Sequence, residues 1–383
     1  MALVSRAGLY LHVPFCQKKC AYCSFYSFVP QADDIRRYIE SVRLQMQQLA
    51  QDPDVRNLSF STIFFGGGTP STLPVEVLAQ LLDDCRTLFT FTGEVPEISI
   101  EVNPGTIDAA GLQQLRRAGF NRLSIGVQSL DDRELRQLGR IHTSGEALAT
   151  IVAARSAGFD NLSFDLMYGL PGQTAHSWQE TLERALTIAP EHLSMYELTV
   201  EEGTPFFKKA RQGQMNLPAE DAVLDMMVAI DTAIGRSPLA RYEISNYAVA
   251  GRQCRHNLNY WNNGRYLGIG PGAVSAFGGK RRAAVADLSA YCGRLATGMD
   301  IWQEVEQLDS ETRFRETVIM GLRLLAGVSI GELRRRFGID LPTYYNTTLD
   351  PLLDQQLVTI RAGRLALTAK GLPLANQVMA LLV

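Results

Sequence analysis

Arg117-Ala-Gly-Phe-Asn-Arg-Leu-Ser-Ile125 recurs with few changes as Ser156-Ala-Gly-Phe-Asp-Asn-Leu-Ser-Phe164. In both copies a helical pattern runs into a glycine, Gly119 or Gly158, that suits a helix end, and a short β run follows. Two looser copies keep the strand core alone, Ile98-Ser-Ile100 and Leu193-Ser-Met195. Helical patterns occupy Val75 to Phe89, Asp108 to Ala118, Gly145 to Ala157 and Trp178 to Ile188. Strands alternating with helices predict parallel βα units and an α/β fold. Six such strands are expected, starting near Leu9, Thr62, Ile98, Leu123, Leu162 and Leu193. Eight units would close a barrel, so six leave a side gap, which suits a ligand larger than a metabolite.

Side chains two apart on a strand share a face. One face carries Ile98, Ile100 and Val102, then Leu123, Ile125 and Val127, then Leu162, Phe164 and Leu166, an apolar surface for the helices. The other carries Ser99, Glu101 and Asn103, then Ser124, Gly126 and Gln128, then Ser163, Asp165 and Met167, then Ser194 and Tyr196. A closed barrel fills its interior with branched apolar side chains, so a polar interior implies a cavity that holds something. Buried acids and amides are costly without partners. Glu101, Gln128 and Asp165 are therefore candidate ligand contacts, the alternative being an internal network with one another and with Arg140. Phe64-Phe-Gly-Gly-Gly-Thr-Pro70 follows the second strand, at the strand end where barrels place their sites. Its glycines allow close backbone approach and offer N–H groups to a ligand, although a glycine triplet by itself is often only a turn.

Half of the six cysteines fall in Cys16-Gln-Lys-Lys-Cys20-Ala-Tyr-Cys23, after the apolar run Leu9 to Phe15. Three thiolates at this spacing can hold three corners of an iron–sulfur cubane and leave the fourth iron open for chemistry. Structural zinc wants four ligands, and His12, Cys254 or His256 would have to supply the fourth. A disulfide framework suits a chain this long poorly. Cys85 and Cys292 sit in no motif, and Cys85 reads as a core residue on a helix.

The run Tyr10-Leu-His-Val-Pro-Phe-Cys16-x3-Cys20-x2-Cys23 resembles the radical S-adenosylmethionine (SAM) enzymes, and among them the branch of oxygen-independent coproporphyrinogen oxidase (HemN) and the heme chaperones (HemW). The resemblance covers nearly the whole chain. It implies a partial (β/α)6 radical SAM barrel over residues 1–280 and a [4Fe-4S] cluster on Cys16, Cys20 and Cys23, with SAM on the open iron. Gly67, Gly68 and Thr69 match the family's GGGTP motif, which meets the methionine amino group. By the same resemblance Glu101 and Arg140 hold the methionine end, while Gln128 and Asp165 face the ribose. Tyr10 matches a tyrosine near the cofactor, and Tyr22, between two cysteines, shields the cluster.

Arg241-Tyr-Glu-Ile-Ser-Asn-Tyr247 and Cys254-Arg-His-Asn-Leu-Asn-Tyr-Trp261 separate the two branch members. A histidine beside two aromatics can serve as an axial heme ligand, whereas a loop histidine is more often structural. The H-N-x-x-Y-W pattern resembles the HemW type and implies a tetrapyrrole site, with His256, Cys254, Tyr260 and Trp261 as candidates and His12 as a further iron ligand. HemN-type enzymes carry another cysteine two residues after the third, where this chain has Phe25. They also carry an N-terminal extension, whereas here the first motif cysteine comes at position 16. Both departures favour a chaperone that binds heme and hands it to an acceptor protein, expected to be respiratory and membrane-associated. The enzymatic alternative is radical decarboxylation of coproporphyrinogen III propionates to vinyl groups. Either role implies an electron donor such as a flavodoxin or ferredoxin.

Past about residue 280 the pattern changes. Residues 281–310 read as a linker and 311–383 as a small winged-helix-like domain. Its helices are expected at Glu311 to Leu325 (ending at Gly327), Ile330 to Phe337 and Pro342 to Gln355, followed by a hairpin from Leu357 to Leu367 and a last helix. No Lys or Arg lies between Arg336 and Arg361, which argues against DNA binding or a cluster-sensing regulator and for a docking or lid domain. Arg334, Arg335 and Arg336 read as a solvated face. The net charge of −3 over 383 residues gives no sign of a nucleic-acid partner. No apolar run reaches the ~18 residues of a membrane span. The start, Met-Ala-Leu-Val-Ser-Arg-Ala-Gly, lacks the regions of a signal peptide. A cytoplasmic protein is expected, in keeping with the reducing compartment a cluster needs.

Overall fold

The computed structural model describes residues 6–91 and 95–383. Six parallel strands stand side by side in chain order: β1 (Arg6–Val13), β2 (Ser59–Gly67), β3 (Glu97–Val102), β4 (Arg122–Gln128), β5 (Leu162–Tyr168) and β6 (His192–Glu197). Each crossover contains helix, as the alternating pattern predicts. The expected apolar face is the core: Ile100, Leu123, Ile125, Leu162 and Leu166 are fully shielded, with Leu81, Leu82, Leu112 and Leu115 from the covering helices. Gly119 takes φ +106 at a helix end, where its N–H reaches Leu115 and Arg116 carbonyls, so the repeat's glycine has a backbone reason.

The sheet does not stop at six strands. β6 pairs antiparallel with β8 (Asn246–Ala248), which pairs with β7 (Ala240–Arg241). On the other edge β1 pairs parallel with β9 (Arg265–Ile269), followed by antiparallel β10 (Val274–Phe277), β11 (Lys280–Ala284) and β12 (Trp302–Gln307). The order is linear, from β12 to β7, so the barrel core is left open at the side.

Residues 281–310, expected as a linker, therefore belong largely to the barrel domain. Tyr291, on the helix Leu288–Ala296, is fully buried and donates to Gln45 Oε1 at 2.5 Å, which ties that helix to the helix Asp34–Gln51. The run Lys280-Arg-Arg-Ala-Ala hides its strand character because β11 and β12 form a charged sheet edge, a common guard against edge-to-edge pairing.

The C-terminal unit has its own core around Phe314, Val318, Leu322, Leu333, Leu349 and Leu365. Its sheet runs β13 (Val328–Ser329), β15 (Arg364–Leu367), β14 (Val358–Arg361), which completes a winged-helix-like shape. The first helix, Ser310–Leu322, ends three residues before the expected Leu325. The reason is a tie to the barrel domain: Ile244 N–H donates to Arg323 O and Leu325 N–H to Tyr242 O, both at 3.1 Å. The expected third helix breaks into Leu341–Tyr344 and Asn346–Asp354.

Candidate functional site

In register, Tyr10 faces Phe64 and Val13 faces Gly67. The cysteine loop leaving β1 and the glycine loop leaving β2 thus start at the same level. The cysteine loop is held on both flanks. Cys16 N–H donates to Phe28 O (2.9 Å), Ala21 N–H to Leu138 O (3.0 Å), and Phe206 N–H to Ala21 O (3.0 Å). All three cysteines are free, Cys16 buried and Cys20 and Cys23 partly open. Cys16 Sγ lies 3.5 Å from Thr69 Oγ1, and Arg140 Nη1 donates to Cys20 Sγ at 3.5 Å. Burial raises the Cys23 thiol, opposed chiefly by a hydrogen bond from the Phe25 backbone and less by Lys19.

Among the described residues no group of three or more His, Cys, Asp or Glu is placed to hold a metal ion. A cubane spreads its thiolates over separate irons, so its ligands stand wider than those of one ion. The zinc alternative also loses its fourth ligand. His12 is engaged at both ring nitrogens, with Tyr10 Oη (3.1 Å) and Tyr26 O (3.0 Å). Cys254 and His256 lie deeper in the barrel, beside Glu97, the first residue of β3, and Thr62 in β2.

The glycine loop differs from expectation in one respect. Its N–H groups are spent on the protein: Gly67 donates to Glu101 Oε2 (3.1 Å), Gly68 to Val13 O and Thr69 to Phe15 O (both 2.7 Å). Glycine is required by packing. A Cβ on Gly67, at φ +115, would meet the His12 ring at 2.6 Å, and one on Gly68 would meet Phe15 O at 2.7 Å. The loop fixes where Glu101 and the cysteines sit.

Inside, Glu101 and Asp165 keep a little accessible surface but are otherwise enclosed by protein. Burial, then the neighbouring Asp165 charge, pushes the Glu101 carboxyl up to about 8 against the Gly67 N–H. Burial raises Asp165 to about 6, opposed by Ser194 and Ser124 hydroxyls. Ser124 Oγ donates to Asp165 Oδ1 at 3.2 Å. Arg140 reaches Gly126 O (2.7 Å) and Asn103 Oδ1. Burial works against its charge, but Tyr22 and Cys20 outweigh that and raise it. Its buried Nε has no partner, nor has the Ser99 hydroxyl. Gln128 sits at a register shift after Ile125 with φ +66, a strained bulge that keeps its amide beside Gly126 and Arg140. Tyr10 stacks on Phe64 at 6.2 Å, and Tyr22 packs on Phe206 at 6.5 Å. Two acids lacking a full counter-charge beside an arginine with a spare donor suit an amino acid carrying ammonium, carboxylate and sulfonium groups. These residues fit SAM, and the three free thiols above them fit the cluster.

The expected heme residues do not converge on an open face. His256 is buried, with Nδ1 2.8 Å from Thr62 Oγ1, Nε2 3.1 Å from Tyr260 Oη, and its ring stacked on Phe64 at 5.1 Å. Burial lowers it to about 3, so it is neutral. Cys254 is buried against Glu97 Oε1 at 3.7 Å, and burial followed by the Glu97 charge pushes its thiol up to about 12. Trp261 points the other way, with Arg323 of the C-terminal unit 4.3 Å over its ring.

The radical SAM superfamily model matches residues 10–185, and the HemN C-terminal domain model matches residues 308–374. The chain is similar to the heme chaperone HemW of Bacillus subtilis, 33% identical over 96% of this chain and 97% of that protein. It is 32% identical to the heme chaperone HemW of Mycobacterium tuberculosis, over 97% of this chain and 93% of the relative. The chain belongs to the HemW family of radical SAM proteins. Among solved structures, coproporphyrinogen III oxidase (HemN) from Escherichia coli, a radical SAM enzyme, superposes with a TM-score of 0.86 at 25% identity, over 99% of this chain and 90% of that one. Radical SAM membership entails a [4Fe-4S] cluster and SAM, and this HemW-family barrel offers the groups described above to each.

Three residues of the site escape a motif-based reading. Asn103 accepts from Arg140, Ser124 donates to Asp165, and Glu97 receives the N–H groups of Arg255 (3.0 Å) and His256 (3.1 Å). Strand parity places Asn103 and Ser124 inside, and one more step down β3 adds Glu97. No helix is long and apolar enough to cross a membrane among the described residues.

Proposed function

We propose that this protein is a heme chaperone: it binds heme as cargo and delivers it to acceptor proteins, with a [4Fe-4S] cluster and SAM as resident cofactors. The near end-to-end kinship with heme chaperones HemW of two bacteria carries the reading. Cys16, Cys20 and Cys23 would hold the cluster. Glu101 and Arg140 would hold the methionine end of SAM, with the loop of Gly67, Gly68 and Thr69 packed beside it and fixing Glu101, and Gln128 and Asp165 would face its ribose, with Tyr10 and Tyr22 alongside. When bound, these cofactors supply an electron-accepting iron site and a sulfonium. The protein's own part is to orient and to exclude water. Arg140 presents its spare Nε, and Glu101 gives up a proton to meet an ammonium group.

For the cargo, Cys254, His256, Tyr260 and Trp261 are the motif candidates, and His256 can bind iron only by leaving Thr62 or Tyr260. Phe25, exposed at 69%, supports the chaperone over the oxidase, because a phenyl ring supplies no thiol where the HemN-type enzymes have one. The HemN-like fold is what favours the oxidase as second reading. A cytoplasmic location, a respiratory membrane acceptor and a flavodoxin or ferredoxin donor belong to the same proposal. The test is transfer: heme-loaded protein mixed with membranes containing heme-free respiratory enzyme should lose its Soret absorbance as the enzyme gains it. Heme that stays bound, or that moves equally well from free solution, counts against the proposal.

A further inference from the structure

His192 belongs to no motif of the chain, yet it is buried in the middle of a continuous line of polar groups. It opens β6 and shares the interior face of that strand with Ser194. In register His192 lies beside Ser163, and Ser194 beside Asp165. His192 Nδ1 stands 2.7 Å from Ser163 Oγ, and Nε2 2.8 Å from Tyr242 Oη. Ser163 Oγ is 3.4 Å from Ser194 Oγ, and the Ser194 hydroxyl bonds the Asp165 carboxyl. At the far end Tyr242 Oη accepts the Cys254 N–H at 3.3 Å. The line therefore runs from the Cys254 N–H through Tyr242, His192, Ser163 and Ser194 to Asp165.

Its two ends fix the order of donors and acceptors. A backbone N–H only donates, and a carboxylate only accepts. Burial holds Asp165 at about 6 against the charges of Arg122 and Arg140, so it is a carboxylate at neutral pH. Burial, then the Arg122 charge, holds His192 well below its usual value, so its ring is neutral, with one N–H and one bare nitrogen. Ser194 donates to Asp165; Tyr196 is also within its reach, but an ionised oxygen is the stronger acceptor. Ser194 then accepts from Ser163, Ser163 accepts from His192 Nδ1–H, and the bare Nε2 accepts from the Tyr242 hydroxyl. Tyr242 Oη keeps a lone pair for the Cys254 N–H. A proton on Nε2 instead leaves the Tyr242 hydroxyl no acceptor in the line. It also either sets the Ser163 and Ser194 lone pairs against each other or requires a protonated Asp165.

We infer that His192, as the Nδ1–H tautomer, is a positioning residue for Asp165: acting through Ser163 and Ser194, it aims the carboxylate so that its remaining lone pairs face the ribose hydroxyls of SAM. The inference rests on the proposed assignment of Asp165 to the ribose. A carboxylate offers about four lone-pair sites. Ser124 and Ser194 take part of that capacity, and what is left suits the two neighbouring hydroxyls of a ribose. A site whose buried acceptors are ordered for hydroxyls discriminates against a ligand that lacks them. The role of His192 is therefore in selection of the cofactor's sugar, several bonds away from it.

The experiment has two readouts on the full chain. Nitrogen NMR of isotope-labelled histidine is read first on cofactor-free protein, which has five histidines, and the signal missing from H192N identifies His192. Nδ1 should be protonated and Nε2 bare; the opposite tautomer overturns the inference. Anaerobic, cluster-loaded protein is then titrated by calorimetry with SAM and with an analogue lacking both ribose hydroxyls. Wild type should prefer SAM. H192L should bind SAM about tenfold more weakly while its affinity for the analogue is unchanged. H192N keeps a donor toward Ser163 and should recover most of the loss. Equal weakening toward both ligands in H192L makes His192 a structural residue only, and unweakened SAM binding in H192L or no recovery in H192N likewise overturns the inference. Wild type that binds both ligands equally well removes the ribose assignment of Asp165 itself, a failure distinct from that of His192, and the inference falls with it.

Discussion

Glu101→Gln removes an ionisable group whose burial has a calculable effect on both folding and ligand binding. Its carboxyl stands at about 8 in the folded protein, against an ordinary 4.5. A raised carboxyl favours the fold fully below its unfolded value and loses that contribution as pH rises toward its folded value. At about 1.4 kcal/mol per unit, the cofactor-free protein should lose about 3 kcal/mol between pH 5 and pH 7.5 through this group. The amide of the Glu101→Gln variant does not titrate and has no such slope. With an unfolding entropy of roughly 2 cal/mol/K per residue, the difference amounts to about 4 °C in melting temperature. Thermal scans of the two cofactor-free proteins from pH 5 to pH 8.5 should diverge by that amount, the variant being the more stable at the alkaline end.

SAM should reverse the order. An ammonium group beside Glu101 lowers its pKa, so binding at pH 7 should release close to one proton, measurable by calorimetry in buffers of different ionisation heat. Affinity for SAM should rise toward tenfold per unit between pH 6 and pH 8 in wild type. In Glu101→Gln it should be weak and flat with pH. Parallel melting curves, together with a pH-independent SAM affinity in wild type, would refute the assignment of Glu101.

Replacing Cys16, Cys20 and Cys23 together by Ala should abolish iron–sulfur loading on reconstitution; a full complement of iron and sulfide in that variant would show that the cluster lies elsewhere. His256→Ala removes a ring that joins Thr62 to Tyr260, and should cost about 2–4 kcal/mol of stability while the folded fraction keeps its heme affinity. A shifted Soret band with unchanged stability would instead make His256 an iron ligand. Arg323→Ala removes the guanidinium 3.7 Å from Glu243, whose side chain is wholly buried, and leaves the weaker influence of Arg241 to offset its charge. It should cost about 3 kcal/mol and expose residues 307–310 to protease before the rest of the chain; equal digestion of both proteins would refute that coupling.

The barrel was legible because each βα unit carries its own signals. The Gly119 repeat, the period-two apolar faces and the cysteine spacing are local, and strand parity puts Glu101 and Asp165 on one face, where their charges act on each other. What stayed hidden depends on partners far away in the chain. β11 reads as a charged linker because its identity as a strand comes from pairing with β10 and β12. The histidine of H-N-x-x-Y-W reads as a candidate heme ligand in a loop because only the folded barrel brings Thr62 and Phe64 around it. The N–H groups of the glycine loop looked free because their acceptors, Val13 and Phe15, lie some 50 residues earlier in the sequence.

The most direct test supplies anaerobically reconstituted protein, with SAM and a reductant, with heme in one tube and coproporphyrinogen III in the other. A heme chaperone takes up heme stoichiometrically and saturably and leaves the porphyrinogen unchanged. Protoporphyrinogen appearing in the second tube would make the protein an oxidase and contradict both the chaperone assignment and the weight placed on Phe25.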